Sequence, residues 1–174
     1  MEVREAIRLK RAVREFDPRP LSDEAVGRIL GAGRRAQSSK NTQPWHFIAV
    51  RDRATLQALS RLGTYAGHLA GCALGVAIVT PDPASRFSVL FDAGQAAAYM
   101  QLAAWELGIG SCLATIYEPD AARRLLGFPE DLHLRIALSF GYPADPTSLT
   151  ASPKPGGRRP VDHTTHFEHW TDPS

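Results

Sequence analysis

Three groups of residues carry most of the polar chemistry in this chain. Lys10-Arg11-Ala12-Val13-Arg14 places three cations in five positions, enough to cradle a phosphate through charge-assisted hydrogen bonds. Gln37-Ser38-Ser39-Lys40-Asn41-Thr42-Gln43 is an unbroken polar run ahead of Pro44 and Trp45, offering many hydrogen-bonding groups to a polar ligand. Lys154, Arg158 and Arg159 lie on a Pro/Gly-rich arm and would complete an anion site if they met the first group in space. Each group also has a plain reading. The first fits a solvated helix end whose cations favour the macrodipole, the second an ordinary loop, the third an isolated basic arm.

Other chemistries lack their residues. No GxGxxG or GxxxxGK[ST] phosphate loop occurs, and Gly31-Ala32-Gly33 lies within a helical pattern. No G-x-S-x-G elbow exposes a serine nucleophile. Cys72 and Cys112 stand 40 positions apart in apolar runs, without metal-ligand spacing, and Cys112 reads as a core thiol. His163, His166 and His169, with Asp162 and Glu168, are metal-ligand types. On a helix their spacing would spread them over about 120°, poor geometry for one ion, so a solvated terminal helix is the simpler reading.

The elements that must position these groups follow from periodicity. Glu2–Lys10 reads as a helix with Val3, Ala6, Ile7 and Lys10 on one side. Ser22 is an N-cap, followed by acidic Asp23 and Glu24 and the apolar face Ala25, Val26, Ile29, Leu30 and Gly33. Trp45–Val50 reads as a strand, then a helix passes through Leu56 and Leu59. Leu74–Thr80 is a short apolar strand stopped by Pro81 and Pro83. Ser88–Leu107 is apolar nearly all round and rich in alanine, which predicts a central, buried helix. Gly108 and Gly110 end it, and a strand continues through Ile109–Thr115. Pro119–Leu126 is a short helix. Leu132, Leu134, Ile136, Leu138 and Phe140 alternate with other residues at the period of a half-buried strand. This order implies a mixed α/β layer architecture. From Pro143 the chain reads as an irregular arm, too long for a simple connection and suited to function or to packing on a partner.

The chain has 174 residues, 44% hydrophobic and 22% charged, which fits one globular domain over residues 1–174. Twenty basic against 18 acidic side chains give a net charge of +2. That is too little for a general field toward nucleic acid or acidic lipid. The opening MEVREAIRLKR offers no apolar core for a signal peptide. The apolar stretch Val89–Leu107 is broken by Asp92, Gln95, Gln101 and Glu106, unlike a membrane span. With only two cysteines, a reducing cytoplasm is the expected location.

Taken together, the motifs resemble the nitroreductase family of FMN-dependent flavoproteins over nearly the whole chain. KRAVREF resembles the family's R-x-S-x-R-x-F stretch, and QSSKNTQPWHF its P-S-x-x-N-x-Q-P-W-x-F loop. LGIGSCLATI is similar to L-G-L-G-S-C-W-I-G, and GYP with the RRPVDHTTHFEHW tail resembles the family's G-x-P and R-x-P-L-x-x-x-x-x-W ending. The resemblance implies an α+β, three-layer nitroreductase-like fold. Its mixed, mostly antiparallel sheet would be flanked by helices around a long central helix, in an intertwined homodimer whose arm, residues 143–170, packs on the partner.

The same resemblance implies an FMN site. Lys10, Arg11 and Arg14 would bind the phosphate and ribityl chain, with Arg158 and Arg159 reaching the phosphate. Gln37, Ser38, Ser39 and Asn41 would touch the flavin from the partner subunit. The backbone of Thr115 and Ile116 would lie near flavin N5, and Thr64 takes the place of a mid-chain polar contact. No catalytic side chain is expected, because the flavin carries the hydride chemistry. NADPH or NADH would reduce FMN, and a small acceptor such as a nitroaromatic or quinone would reoxidise it in a ping-pong cycle. Alternatives are a flavin-consuming or reductive-dehalogenating relative, or a non-enzymatic FMN-binding protein. Three positions depart from the family pattern: Ala12 stands for serine, Gln37 for proline and Thr115 for glycine. The chain also has no room for the helical insertion of larger members.

Overall fold

A computed structural model describes residues 3–151 and 157–171. The expected helix start at Glu2 and the cation Lys154 lie outside those residues. Helices α1 (Val3–Leu9) and α2 (Asp23–Arg34) come first, followed by strand β1 (His46–Val50), helix α3 (Arg53–Leu59) and strand β2 (Leu74–Pro81). The long helix α4 (Ser88–Glu106), strand β3 (Gly110–Thr115), helix α5 (Pro119–Leu126) and strand β4 (Leu132–Gly141) complete the core.

Local chemistry explains the boundaries. The Ser22 hydroxyl accepts the Ala25 N–H at 3.2 Å and caps α2. Gly127 ends α5 at φ +72°, a conformation open to glycine. The strands form one sheet in the order β1-β2-β4-β3, every neighbour antiparallel. The only parallel component among the described residues is a single bridge between Ala12 and Ser111.

The fold has three layers. On one face, Ile29 and Val26 of α2 and Ala93, Ala96 and Met100 of α4 pack against Val76, Ile78, Leu138 and Phe140 of the sheet. On the other, Leu59 of α3, Leu69 and Ala122 of α5 pack against Ala77, Val79, Leu134 and Ala137. Alternation along the strands divides the two cores.

In four places the structure departs from the sequence-based expectations. Helix α4 is not covered all round: Phe87 just before it, and Leu90, Phe91 and Tyr99 within it, are exposed in the single chain. Val3 and Ile7 of α1 are exposed too, and Leu9 is the residue that α1 buries, against Val13 and Trp105. The histidine-bearing tail is not an α-helix; apart from a 3-10 turn at Val161–His163 it is irregular. The C-terminal arm also begins on its own chain. Phe16 bridges Pro143, the Ala144 N–H donates to the Glu15 carbonyl, and Leu149 packs against the Leu9–Val13–Trp105 cluster. Among the described residues no helix is long and apolar enough to cross a membrane.

Candidate functional site

The segment between α1 and α2 is pressed onto the start of β3. The Val13 N–H donates to the Ser111 carbonyl at 2.9 Å, and a Cβ on Gly110 would lie 2.7 Å from the Val13 Cβ. Only glycine permits that approach, and it fixes where Lys10 and Arg14 stand. Lys10 reaches across to α4 and donates to the Gln101 Oε1 at 3.0 Å. Burial pushes the Lys10 ammonium below its usual range; the nearby Cys112 opposes this, and the Arg158 charge pushes it further down. Two like charges held together in a partly buried place form an arrangement that an anion relieves. Ile7, Arg8, Leu9, Lys10, Arg11, Gly157 and Arg158 line a groove of about 410 Å³ there.

The cations are not equivalent. Arg11 donates through Nε to the Leu9 carbonyl at 3.1 Å and through its guanidinium to the Ala151 carbonyl, so it also ties the C-terminal arm to the N-terminal segment. Arg14 is exposed, and its charge acts on both Cys112 and His68. Arg158 and Arg159 are both exposed, but Arg158 lines the groove with Lys10 and Arg159 does not.

Beyond the cations runs the outer edge of β3. In an antiparallel ladder alternate residues turn their N–H and C=O toward the neighbouring strand. The Ile116 N–H donates to the Arg135 carbonyl of β4 at 2.9 Å, so its donor is already used. Leu113 and Thr115 turn theirs to the outer edge, while the Ser111 carbonyl is taken by the Val13 N–H. Of the Thr115–Ile116 pair, the Thr115 N–H is therefore the donor available to a ligand. Leu113 and Thr115 also present exposed side chains. The segment around Thr64 is strapped beside them, since a Cβ on Gly63 would lie 2.2 Å from the Thr115 carbonyl oxygen and the Tyr117 N–H donates to the Leu62 carbonyl at 2.8 Å.

The polar loop lies elsewhere. The Ser39 N–H donates to the Asp92 carboxylate of α4 at 3.0 Å, and Arg86 holds the Thr42 hydroxyl at 2.7 Å. Lys40, Asn41 and Gln43 all have φ near +50°, on either side of a right-handed Thr42; these left-handed positions cost free energy without glycine and keep the loop tightly turned. Asp92 and Gln101, the anchors of the two polar groups, are nine residues apart on one helix. That separates them by about 13 Å along the axis and roughly 180° around it. One chain thus brings Lys10, Arg11 and Arg158 to one groove, with Val13 tied to the strand that carries Thr115, and leaves Gln37, Ser38, Ser39 and Asn41 on the far side of α4.

Several residues here escape a sequence reading. His68, in a 3-10 turn at Gly67–Gly71, is buried with its Nδ1 2.8 Å from the Ser139 hydroxyl, and the Arg14 charge acts on it; the expected polar contact Thr64 is exposed. Gln101 and Asp92 carried a signal, as polar residues inside an apolar helix. His68 carried none. Among the described residues no group of three metal-ligating side chains is gathered; in the tail, His166 stacks on Trp170 with centroids 4.1 Å apart.

Comparison with known proteins places this geometry. The family model described as "Nitroreductase family" matches residues 7–68 and 64–142. A candidate NADH dehydrogenase/NAD(P)H nitroreductase of Archaeoglobus fulgidus is 35% identical over 143 residues, 78% of this chain and 82% of that protein. An NADPH-flavin oxidoreductase of Vibrio harveyi is 26% identical over 155 residues, 80% of this chain and 65% of that protein. Among solved structures, an FMN-dependent nitroreductase of Clostridium difficile R20291 superposes with a TM-score of 0.82 at 26% identity, over 95% of this chain and 98% of that one.

Proposed function

This chain belongs to the nitroreductase family and is an FMN-dependent oxidoreductase using NAD(P)H; from that premise we propose that it passes a hydride to a small acceptor such as a nitroaromatic or quinone, in a ping-pong cycle. The observation that carries the site assignment is the meeting of Lys10 and Arg158 beside the open edge of β3. The residues present fit the cofactor. A dianionic phosphate offsets the repulsion between Lys10 and Arg158 and draws on Arg11 and Arg14 close by, with Arg159 next in the arm. The orphaned, buried Ser111 hydroxyl on the same strand is a further polar group, on the residue that Ala12 bridges.

FMN bound there would supply the hydride chemistry. The chain's own part is to hold and orient. Lys10 and Arg158 would hold the phosphate, the exposed Leu113 and Thr115 side chains would border the ring, and the Thr115 N–H would offer it a fixed donor. A donor placed there favours the electron-rich reduced ring. Thr64 and the Ile116 backbone border the same edge of β3.

The reading includes a homodimer. Gln37, Ser38, Ser39 and Asn41 lie on the opposite side of α4 from the cations, so they serve the site of a second copy, and the exposed stripe of Phe87, Leu90, Phe91 and Tyr99 is the surface such a copy would cover. Residues 1–174 then act as one FMN-binding domain, with the distal arm against the partner. Two free, buried cysteines agree with a cytoplasmic location.

An absorption spectrum of the purified protein, repeated anaerobically with NADH or NADPH, tests the reading. A yellow protein that bleaches is expected; a yellow protein that does not bleach would mark a flavin-binding protein without this activity. Lys10→Ala should weaken FMN binding about 10- to 100-fold, as expected for a charge-assisted hydrogen bond, read from quenching of FMN fluorescence. Unchanged affinity would overturn the placement of the phosphate.

A further inference from the structure

Gln101 is a polar side chain on a largely apolar helix, and only 8% of it is exposed. A buried amide costs free energy unless it is bonded. Its Oε1 accepts from the Lys10 ammonium at 3.0 Å, and burial pushes that ammonium below its usual range. Replacing both members of such a pair by apolar groups of the same shape is often neutral or stabilising. Stability of the fold therefore does not account for the pair.

The packing around it is specific. Leu9 ends α1 and Lys10 follows, while Gln101 and Trp105 stand about one turn apart on α4. Leu9 packs with Trp105 and Lys10 bonds Gln101, so two adjacent residues dock on two successive turns. Gln101 thus holds the ammonium from behind, while Lys10 lines the groove shared with Arg11 and Arg158. Gln101 is not among the residues that line it. An ammonium carries three donors, and with one given to Gln101 two are left for a ligand. A lysine held in this way loses less side-chain freedom on binding than a free one. The holding group is also neutral. A glutamate in its place would orient Lys10 equally well and cancel the charge that an anion needs.

We propose that Gln101 is a positioning residue of the anion site: by holding the Lys10 ammonium without neutralising it, Gln101 sets how strongly the site prefers a phosphorylated flavin to an unphosphorylated one. The proposal rests on the FMN-site reading above. Gln101 acts through Lys10 alone, so its effect is confined to the phosphate end of the ligand.

The test compares four full-length proteins: wild type, Lys10→Met, Gln101→Met and the double variant. FMN and riboflavin, which share a ring and differ in the phosphate, are titrated by quenching of flavin fluorescence. Gln101→Met should weaken FMN binding about 3- to 10-fold and leave riboflavin binding unchanged. Lys10→Met should weaken FMN binding more, and the double variant no further than Lys10→Met, because the second change removes an interaction already lost. Unchanged FMN affinity in Gln101→Met overturns the proposal. Equal losses for FMN and riboflavin, or losses that multiply in the double variant, overturn it too, since both mark a role in the fold alone. Gln101→Leu takes the place of Gln101→Met if the latter does not fold. A wild type that binds no FMN would show that the functional reading has failed first. The rise in Tm given by sulfate is then measured on the same four proteins. A rise that is smaller in Gln101→Met, and no smaller in the double variant than in Lys10→Met, supports the positioning role; equal rises, or none, end it.

Discussion

At the residue scale, the burial of His68 and the field of Arg14 make the FMN-free protein sensitive to acid. An unfolded histidine titrates near 6.5, and the folded His68 below that because of burial and then Arg14. Between the two values the unfolded chain binds more protons than the folded one. Stability therefore rises with pH across that window and is lost as pH falls through it. Urea unfolding of FMN-free protein should show a lower midpoint at about pH 5.5 than at about pH 7.5. Arg14→Gln removes one of the two causes and should make the drop smaller. An Arg14→Gln profile as steep as wild type would show that Arg14 does not act on His68.

At the element scale, glycines decide how closely segments approach. Gly110 lets the cation-bearing segment lie on β3, and a Cβ there would meet the β and γ carbons of Val13 at 2.7–2.8 Å. Gly110→Ala should cost about 1–3 kcal/mol by overpacking and weaken FMN binding by displacing Lys10 and Arg14. Gly27 of α2 provides the contrast, since nothing lies within 4 Å of a Cβ placed on it. Gly27→Ala should be neutral or stabilise by up to about 1 kcal/mol and leave FMN binding intact. Paired denaturation curves and FMN titrations separate the two. Equal affinity in both variants would mean that Gly110 does not set the position of the cations.

At the scale of the whole molecule, α4 divides the polar groups between its two sides and leaves an apolar stripe uncovered. Phe91 is 66% exposed in the single chain, so Phe91→Asp should fold normally, with an unchanged circular dichroism spectrum. It should elute as a monomer on size exclusion and lose bound FMN, because Gln37–Asn41 of the second copy would be absent. A flavin-loaded monomer would refute the shared site. Truncation beyond Ala151 tests the arm more cleanly than truncation at Pro143, because Leu149 already serves this chain's own core.

Local chemistry determined a good deal here. Helix and strand positions followed from periodicity, capping and glycine stops, because Ser22, the alternation of Leu132–Phe140 and the Gly108–Gly110 break each act within a few residues. The basic stretch, the polar loop and the arm were legible as groups for the same reason. The tertiary structure alone decided which groups meet. Lys10 finds Gln101 across 91 positions, and His68 finds Ser139 across 71. His68 sits in a segment bounded by Gly63 and Gly71 with no periodicity to mark its burial, so neither that burial nor its contact with Ser139 could be read from spacing. Likewise, the apolar composition of α4 predicts a buried helix without telling its own core from a partner's. Composition records what a face must avoid, which is water, and only packing shows what covers it.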